Sequence, residues 1–314
     1  MTSPNPPYGI ATLAHFGLIR FAGADAQAFL QGQLSCDVTG LQPGHAVYGS
    51  YNTPKGRMLA TFLLWRDDAG YAMQLPRSLA ESIRRRLSMY VLRSKVTLHD
   101  ANDEYELLGI VGADTGVQLA DVCAQLPANV LTLTASGTAR VLRLDDERFL
   151  LIIERAHARA IHDALAGKLP AISTEAWDWT NIRAGIPYIT PATQDQFVPQ
   201  MANLDLINAV SFSKGCYPGQ EIVARMHYLG KLKQRMYLAA VDGDESAVAG
   251  DKLYSPGTGE QATGMIVNAA ADPDRPREVL AVMHIESFKA GEVHLKTADG
   301  PRLRFSDLPY LIPA

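Results

Sequence analysis

The spacing of apolar positions alternates between a period of two and a period near 3.6 through the first half of the chain. Residues 17–21 alternate as a strand does. Gly23-Ala24-Asp25 then opens a helix, with Asp25 placed as N-cap and Phe29, Leu30 and Leu34 on its apolar side. Residues 45–75 read as strands broken by turns at Asn52-Thr53-Pro54-Lys55-Gly56 and Asp67-Asp68-Ala69-Gly70. Ser78 is placed to cap the next helix. There Leu79, Ile83, Leu87 and Tyr90 share one face, and Arg84, Arg85 and Arg86 occupy the rest. Strands follow near 95–100 and 105–112. The order then recurs, with a helix near 115–126, strands at 139–144 and 148–153, and a helix over 155–168. Two successive strand–helix–strand modules imply two similar α+β units.

From 171 to 230 the character changes to aromatic positions mixed with polar ones and prolines at turns. Beyond Leu232 the helical period disappears. Short apolar stretches at 236–241, 263–268, 279–284, 292–296 and 302–305 are separated by Gly, Pro and Asp. That pattern predicts a small antiparallel β-barrel or sandwich. The expected organisation is therefore a first α+β unit over 1–104, a second over 105–170, a middle segment over 171–230, and a C-terminal β unit over 231–314.

Composition adds limits. The chain of 314 residues is 47% hydrophobic and 20% charged, with a formal net charge of −4. It can bury an ordinary core, and its charge argues against nucleic-acid binding by the protein as a whole. Apolar runs such as 59–65 are too short to cross a bilayer. The first residues, Met-Thr-Ser-Pro-Asn-Pro-Pro, lack the pattern of a signal peptide. Three well-separated cysteines, Cys36, Cys123 and Cys216, fit a reducing compartment and neither a disulfide framework nor a metal-binding pair. A cytoplasmic protein is expected.

One segment concentrates chemistry: Lys214-Gly215-Cys216-Tyr217-Pro218-Gly219-Gln220-Glu221. Two glycines and a proline within five residues mark a tight loop. Pro218 suits the entrance to a helix, and Gln220 and Glu221 suit its first turn. Cys216 then sits before a helix N-terminus and two residues from Lys214, both of which favour thiolate over thiol. Cys216 is thus the candidate functional thiol and Lys214 its candidate neighbour. The loop holds no histidine, and His227 is a partner only if the helix turns it back. The alternative is that Cys216 and Tyr217 are packing material and Lys214 is solvated.

This segment and Phe197-Val198-Pro199-Gln200-Met201-Ala202-Asn203-Leu204-Asp205 together resemble the YgfZ family of folate-binding proteins, relatives of the T-protein of the glycine cleavage system. Gly23-Ala24-Asp25 with 29–33, Lys55-Gly56-Arg57-Met58, and Asn181-Ile182-Arg183-Ala184-Gly185-Ile186-Pro187 extend the resemblance over most of the chain. It implies a T-protein-like fold in which the two α+β units and the middle segment surround a central site for tetrahydrofolate or a derivative, with a C-terminal β-barrel packed outside and no tightly held metal. It also implies a role in iron–sulfur cluster maintenance, in partnership with client enzymes or assembly proteins, and through them in tRNA modification. The family's aromatic folate contacts fall on Phe16 and Trp177, rings suited to stacking on a pteridine. The motif residues Gln200, Asn203, Tyr217, Gly219, Gln220, Glu221 and Arg225 carry over as supporting positions.

Two departures bear on activity. T-protein enzymes carry a catalytic aspartate just after the hairpin glycines, where this chain has Arg57-Met58-Leu59-Ala60-Thr61. They also carry a glutamate near the place of Arg183, whose side chain cannot accept a hydrogen bond. An accessory protein is therefore expected in place of a stand-alone aminomethyltransferase. A folate-dependent one-carbon transferase and an RNA-binding or tRNA-modifying protein working through the arginine-rich helix (Arg77, Arg84, Arg85, Arg86, Arg93, with Lys95) remain the alternatives. The net charge weighs against direct nucleic-acid binding.

Overall fold

A computed structural model of the chain describes residues 7–113, 115–120, 122–243, 246–272 and 275–313. Contacts divide the chain into two compact units. The first comprises Met1–Leu30, Val38–Val47 and Phe62–Trp177; the second comprises Gln31–Asp37, Tyr48–Thr61 and Asp178–Ala314.

The chain starts with β1 (Gly9–Thr12) and β2 (Phe16–Ala22), followed by α1 (Ala26–Gln31), β3 (Ala46–Asn52), β4 (Met58–Asp67), β5 (Gly70–Pro76), α2 (Arg77–Ser88) and β6 (Thr97–Asp100). Five of these strands form a sheet in the order β3-β4-β5-β2-β6, and the unit boundary falls inside β3 and β4. The order then repeats as expected. It runs through β7 (Tyr105–Val111), α3 (Thr115–Ala120), β8 (Leu133–Ser136), β9 (Ala139–Arg143), β10 (Arg148–Glu154) and α4 (Arg155–Ala166), with the sheet order β1-β7-β10-β9-β8. The four-residue strands β1 and β8 are too short for a period to show in sequence. Position 121, within the helix expected near 115–126, lies outside the described residues.

Local physics accounts for the departures in the first unit. Ser78 does not cap α2: β5 runs straight into the helix, with Pro76 at the N-cap and no side-chain cap bond. Leu79, Ile83 and Leu87 are buried as expected, but Tyr90 lies past the helix end and is exposed. Asp25 precedes α1, yet its carboxylate accepts from the backbone N–H of Lys95 at 2.6 Å. Arg20, buried on β2, forms a two-pronged pair with Asp67 at 2.6 and 2.8 Å, which satisfies both charges. The second module closes over Leu108, Ile110, Val141, Leu151, Ile153 and Leu165, each worth roughly 1.5–3 kcal/mol of burial.

The second unit takes most of its residues from beyond α5 (Thr174–Arg183). A 3-10 turn at Pro199–Ala202 and the helix α6 (Gln220–Tyr228) lead into a sheet of β11 (Gln234–Val241), β12 (Lys252–Tyr254), β13 (Gly264–Ala270), β14 (Glu278–His284), β15 (His294–Leu295) and β16 (Leu303–Ser306). The order is β15-β12-β13-β14-β11-β16, and a bridge between His294 and Arg302 links the two edges, so the antiparallel sheet curls as a small barrel. The expectation of no helix past Leu232 is corrected by α7 (Ile285–Ala290), which is too short for a 3.6 period to show. Phe288 on α7 stacks on Tyr237 at 3.7 Å.

Candidate functional site

The Lys214–Glu221 segment is a loop ending in α6, and every contact described for it lies within the second unit. Cys216 is exposed, whereas Cys36 and Cys123 are buried. The loop's placement rests on three anchors. Lys214 Nζ donates to the carbonyls of Leu34 at 2.7 Å and Cys36 at 2.8 Å, and lies 5.2 Å from the Tyr217 ring centroid. The Gln220 side chain donates back to the Lys214 carbonyl at 3.3 Å. Gly219, at φ +80°, is the N-cap of α6; a Cβ there would lie 2.4 Å from the Thr53 carbonyl oxygen and 2.5 Å from Gly56 Cα. Only glycine meets both the left-handed backbone and this approach to the turn at Thr53–Gly56.

These contacts change the role expected of Lys214. Its ammonium is held by two backbone carbonyls, so it fixes the loop to the segment that follows α1. Burial lowers its pKa to about 8, against the pull of Cys36 and Asp37. Burial pushes Cys36 up to about 12 and Tyr217 up to about 12, so neither ionises near neutral pH. His227 stacks on Phe212 at 3.8 Å. Glu221 and Arg225 are exposed on α6, and among the described residues neither has an ion pair.

Gln200 and Asn203 are brought to the same unit for a different purpose. Gln200 donates its amide to the Val223 carbonyl at 2.6 Å, tying the 3-10 turn to α6. Asn203, at φ +59°, donates to the Met236 carbonyl at 2.8 Å, tying it to β11. Arg235 completes this frame with a two-pronged pair to Asp205 at 2.7 and 2.9 Å and a bond to the Gln200 carbonyl at 2.8 Å. Arg235 was not visible as a partner in sequence, because the pairing spans 30 residues with no periodic signal.

Phe16 and Trp177 both belong to the first unit and have different surroundings. Phe16 borders a partly open cavity of about 90 Å³, also lined by Leu13, Arg77, Asn102, Glu106 and Arg155. Trp177 is not among its lining residues. A methyl on Gly109 would lie 2.5 Å from the Trp177 ring, and the Arg148 guanidinium sits 6.0 Å from a ring centroid. Both rings are buried; Phe16 borders the cavity and Trp177 packs against Gly109. On the arginine-rich helix, Arg84 and Arg85 both pair with Glu81, whose carboxyl they hold below its ordinary value. Among the described residues no group of three His, Cys, Asp or Glu is gathered to hold a metal ion.

Residues 7–144 match the GCVT N-terminal domain family. The tRNA-modifying protein YgfZ of Escherichia coli O7:K1 is 32% identical over 307 residues, covering 97% of this chain and 94% of that protein. The chain belongs to the YgfZ family. The tRNA-modifying protein YgfZ of Shigella boydii serotype 4 matches with the same identity and coverage. The crystal structure of the glycine cleavage system aminomethyltransferase T from Bartonella henselae superposes with a TM-score of 0.78 at 17% identity, covering 97% of this chain and 86% of that one. That likeness shows that the chain has a T-protein-like fold.

Within that fold, the positions that depart from the enzyme pattern are structurally occupied. Leu59 gives its carbonyl to the Gln194 amide at 2.8 Å. Ala60 is buried. The Thr61 hydroxyl donates to the Pro187 carbonyl and accepts from the Ile189 N–H, both at 2.9 Å. No group on this stretch is available as a general acid or base. Arg183 instead faces Glu278 at 3.3 Å, and burial raises the Glu278 pKa against the pull of that arginine.

Proposed function

We propose that this protein is a folate-binding accessory factor that uses the Cys216 thiol to support assembly or repair of iron–sulfur clusters in client enzymes, and influences tRNA modification through them. The observation that carries this reading is the exposure of Cys216 on a loop whose neighbours are fixed by Lys214, Gln220 and Gly219. A thiol held outward in this way is accessible to a partner protein. One cysteine cannot hold a cluster, which takes about four ligands, so its contact with cluster chemistry is shared or transient. The printed name of the relatives, tRNA-modifying protein, agrees with an effect on tRNA. Folate binding is supported by the T-protein-like fold and by Phe16 on the lining of a cavity. Tetrahydrofolate would supply a one-carbon carrier to the site.

The test is complementation of a deletion strain, read by iron–sulfur enzyme activity and by tRNA modification. Cys216→Ala is expected to give both at the level of the deletion. Full restoration by that variant would remove the thiol from the function. Titration calorimetry with tetrahydrofolate tests the ligand separately, and absence of binding would remove folate.

Aminomethyl transfer is the second reading, favoured by the fold likeness. The occupied positions at Leu59, Ala60 and Thr61 oppose it, since general acid–base assistance contributes about 10²–10⁴ in rate. Purified protein with tetrahydrofolate and an aminomethyl donor is expected to form no product above background; turnover would reinstate an enzyme.

A further inference from the structure

The outer face of α6 carries an arrangement that the core does not require. Ile222, Arg225, Tyr228 and Leu229 recur at three- and four-residue spacing and so share one face. All four are exposed, Tyr228 by 66% and Leu229 by 84%. His227, also exposed, stacks on the half-buried Phe212, with ring centroids 3.8 Å apart and planes 15° from parallel. Tyr228 stands edge-on to both rings, 4.8 Å from His227 and 6.3 Å from Phe212. Three aromatic rings are thus ordered against one another at the surface, in contacts that hold rings without a core around them.

The charge around these rings has one sign. Between Asp205 and Asp242 the only acidic residue is Glu221, against Lys214, Arg225, Lys231, Lys233 and Arg235. Lys214 and Arg235 are engaged inside the unit. Arg225, Lys231 and Lys233 are exposed, and among the described residues their side chains have no ion pair or hydrogen bond. A cation in the last turn suits the helix dipole, which accounts for Arg225. Lys231 and Lys233 lie past the helix, where the dipole asks for nothing. At the other end of the face the turn at Thr53–Gly56 abuts Ile222, since a Cβ on Gly56 would lie 3.0 Å from Ile222 Cβ. Exposed Lys55 and Arg57 flank that contact. The helix is about 14 Å long, so cations follow its whole face. The net charge of −4 weighs against binding by the whole surface; this segment has the opposite sign.

One partner has to meet both features. An acidic protein surface answers the cations and leaves the ordered rings unexplained. A nucleic-acid duplex offers phosphates but keeps its bases stacked inside. A single strand answers both, with phosphates for the cations and a flat π-face on every base for the rings. We propose that the outer face of α6, with the residues through Lys233, binds single-stranded nucleic acid: bases stack on His227 and Tyr228, and phosphates lie along Arg225, Lys231 and Lys233. RNA and DNA strands share this chemistry. The arginine-rich helix α2 is a poorer surface, because Arg84 and Arg85 are taken up by Glu81. The site rests on neither the folate reading nor the Cys216 reading.

Fluorescence anisotropy on the full chain tests the site. The probes are labelled oligoadenylate and oligodeoxyadenylate of about twelve residues, an RNA duplex of the same length, and labelled poly-L-glutamate. One variant removes the rings (His227→Ala with Tyr228→Ala) and one the charge (Lys231→Gln with Lys233→Gln). All four side chains are exposed, so Tm is expected to hold in both. A third variant, Arg84→Ala with Arg85→Ala and Arg86→Ala, is the control on α2. At least one single strand is expected to bind more tightly than the duplex. The ring variant is expected to lose about ten-fold or more in affinity. The charge variant is expected to flatten the slope of log affinity against log salt by about 1.4, two phosphate contacts. The α2 variant and Cys216→Ser are expected to bind as wild type, so the thiol reading and this site fail separately. Preference for one strand would name RNA or DNA as the ligand; equal binding would assign the site to either, and both outcomes uphold it. No binding of a single strand, a duplex bound as tightly, or affinity kept in both the ring and charge variants would overturn it. Loss in the α2 variant alone would move binding to that helix and overturn it too. Binding of poly-L-glutamate in place of the strands would overturn it in favour of an acidic protein partner.

Discussion

The Pro199–Asp205 turn and the Lys214–Glu221 loop stand close together in sequence and handle their polar groups in opposite ways. The turn buries Gln200 and Asn203: Asn203 meets the Met236 carbonyl and Arg235, and Gln200 gives its NH₂ to the Val223 carbonyl while its Oε1 has no partner among the described residues. The loop uses its own polar side chains, Lys214 and Gln220, to hold backbone in place while Cys216 stays in solvent. The difference teaches that one block of sequence contains two jobs. Buried amides and an ion pair set the frame, and a lysine clamp and a glycine contact aim a thiol. The two jobs separate by stability: disturbing the frame should unfold the unit, whereas disturbing the thiol should not.

The frame gives the largest expected effect. Asp205 and Arg235 side chains are each 11% exposed. Removing one charge of such a pair leaves the other buried alone, at a cost of about 3–5 kcal/mol. Asp205→Ala should show that loss in urea denaturation. The double variant Asp205→Ala with Arg235→Met should recover much of it, because the stranded charge is gone. A small loss in the single variant would mean that the turn is not the frame.

Gly219→Ala comes next, since a side chain there faces both a left-handed φ and the Thr53 carbonyl 2.4 Å away. Strain of this kind costs about 1–3 kcal/mol. It should also loosen the loop, read as a faster and less selective reaction of Cys216 with a thiol probe. An unchanged labelling rate would show that the turn at Thr53–Gly56 does not position the cysteine.

What sequence made legible follows the same division. The two α+β modules and most strands of the curled sheet were readable because their apolar positions repeat locally, as at Leu79, Ile83 and Leu87. The glycines and proline of the cysteine loop announced a shaped turn. The partners of that turn were not readable. Lys214 looked like a neighbour for Cys216 because the two are close in sequence, and its bonds go to carbonyls some 180 residues away. β1 and α7 escaped because four to six residues carry too few periods to count.

The lysine clamp gives a smaller, pH-dependent effect. Lys214→Met leaves the carbonyls of Leu34 and Cys36 without their donor, about 1–3 kcal/mol near neutral pH. The ordinary lysine value is 10.5 and burial lowers Lys214 to about 8. Between those values the unfolded chain binds the proton that the folded chain has released, so this group makes the wild type more stable as pH rises from about 8 to 10.5. Below 8 both states are protonated and the contribution is flat. Cys36 and Tyr217, raised by burial, act in the opposite direction above their ordinary values of 9.0 and 10.0, in both proteins. The readout is therefore the difference between wild type and Lys214→Met, which should widen over that window. A constant difference would mean that Lys214 titrates as a solvated lysine.

The smallest stability effect belongs to the residue with the largest proposed functional one. Cys216 is exposed, so Cys216→Ser removes no packing, and the expected change in unfolding free energy is within about 0.5 kcal/mol. The oxygen is a far weaker nucleophile and iron ligand than a thiolate, so complementation should still fall to the level of the deletion. That combination, intact fold and lost function, is what an aimed thiol predicts. A large loss of stability would place Cys216 with the frame. Unchanged stability with unchanged complementation would leave the clamp and the glycine contact holding a loop whose purpose lies in Glu221 and Arg225, the exposed charges that follow it on α6.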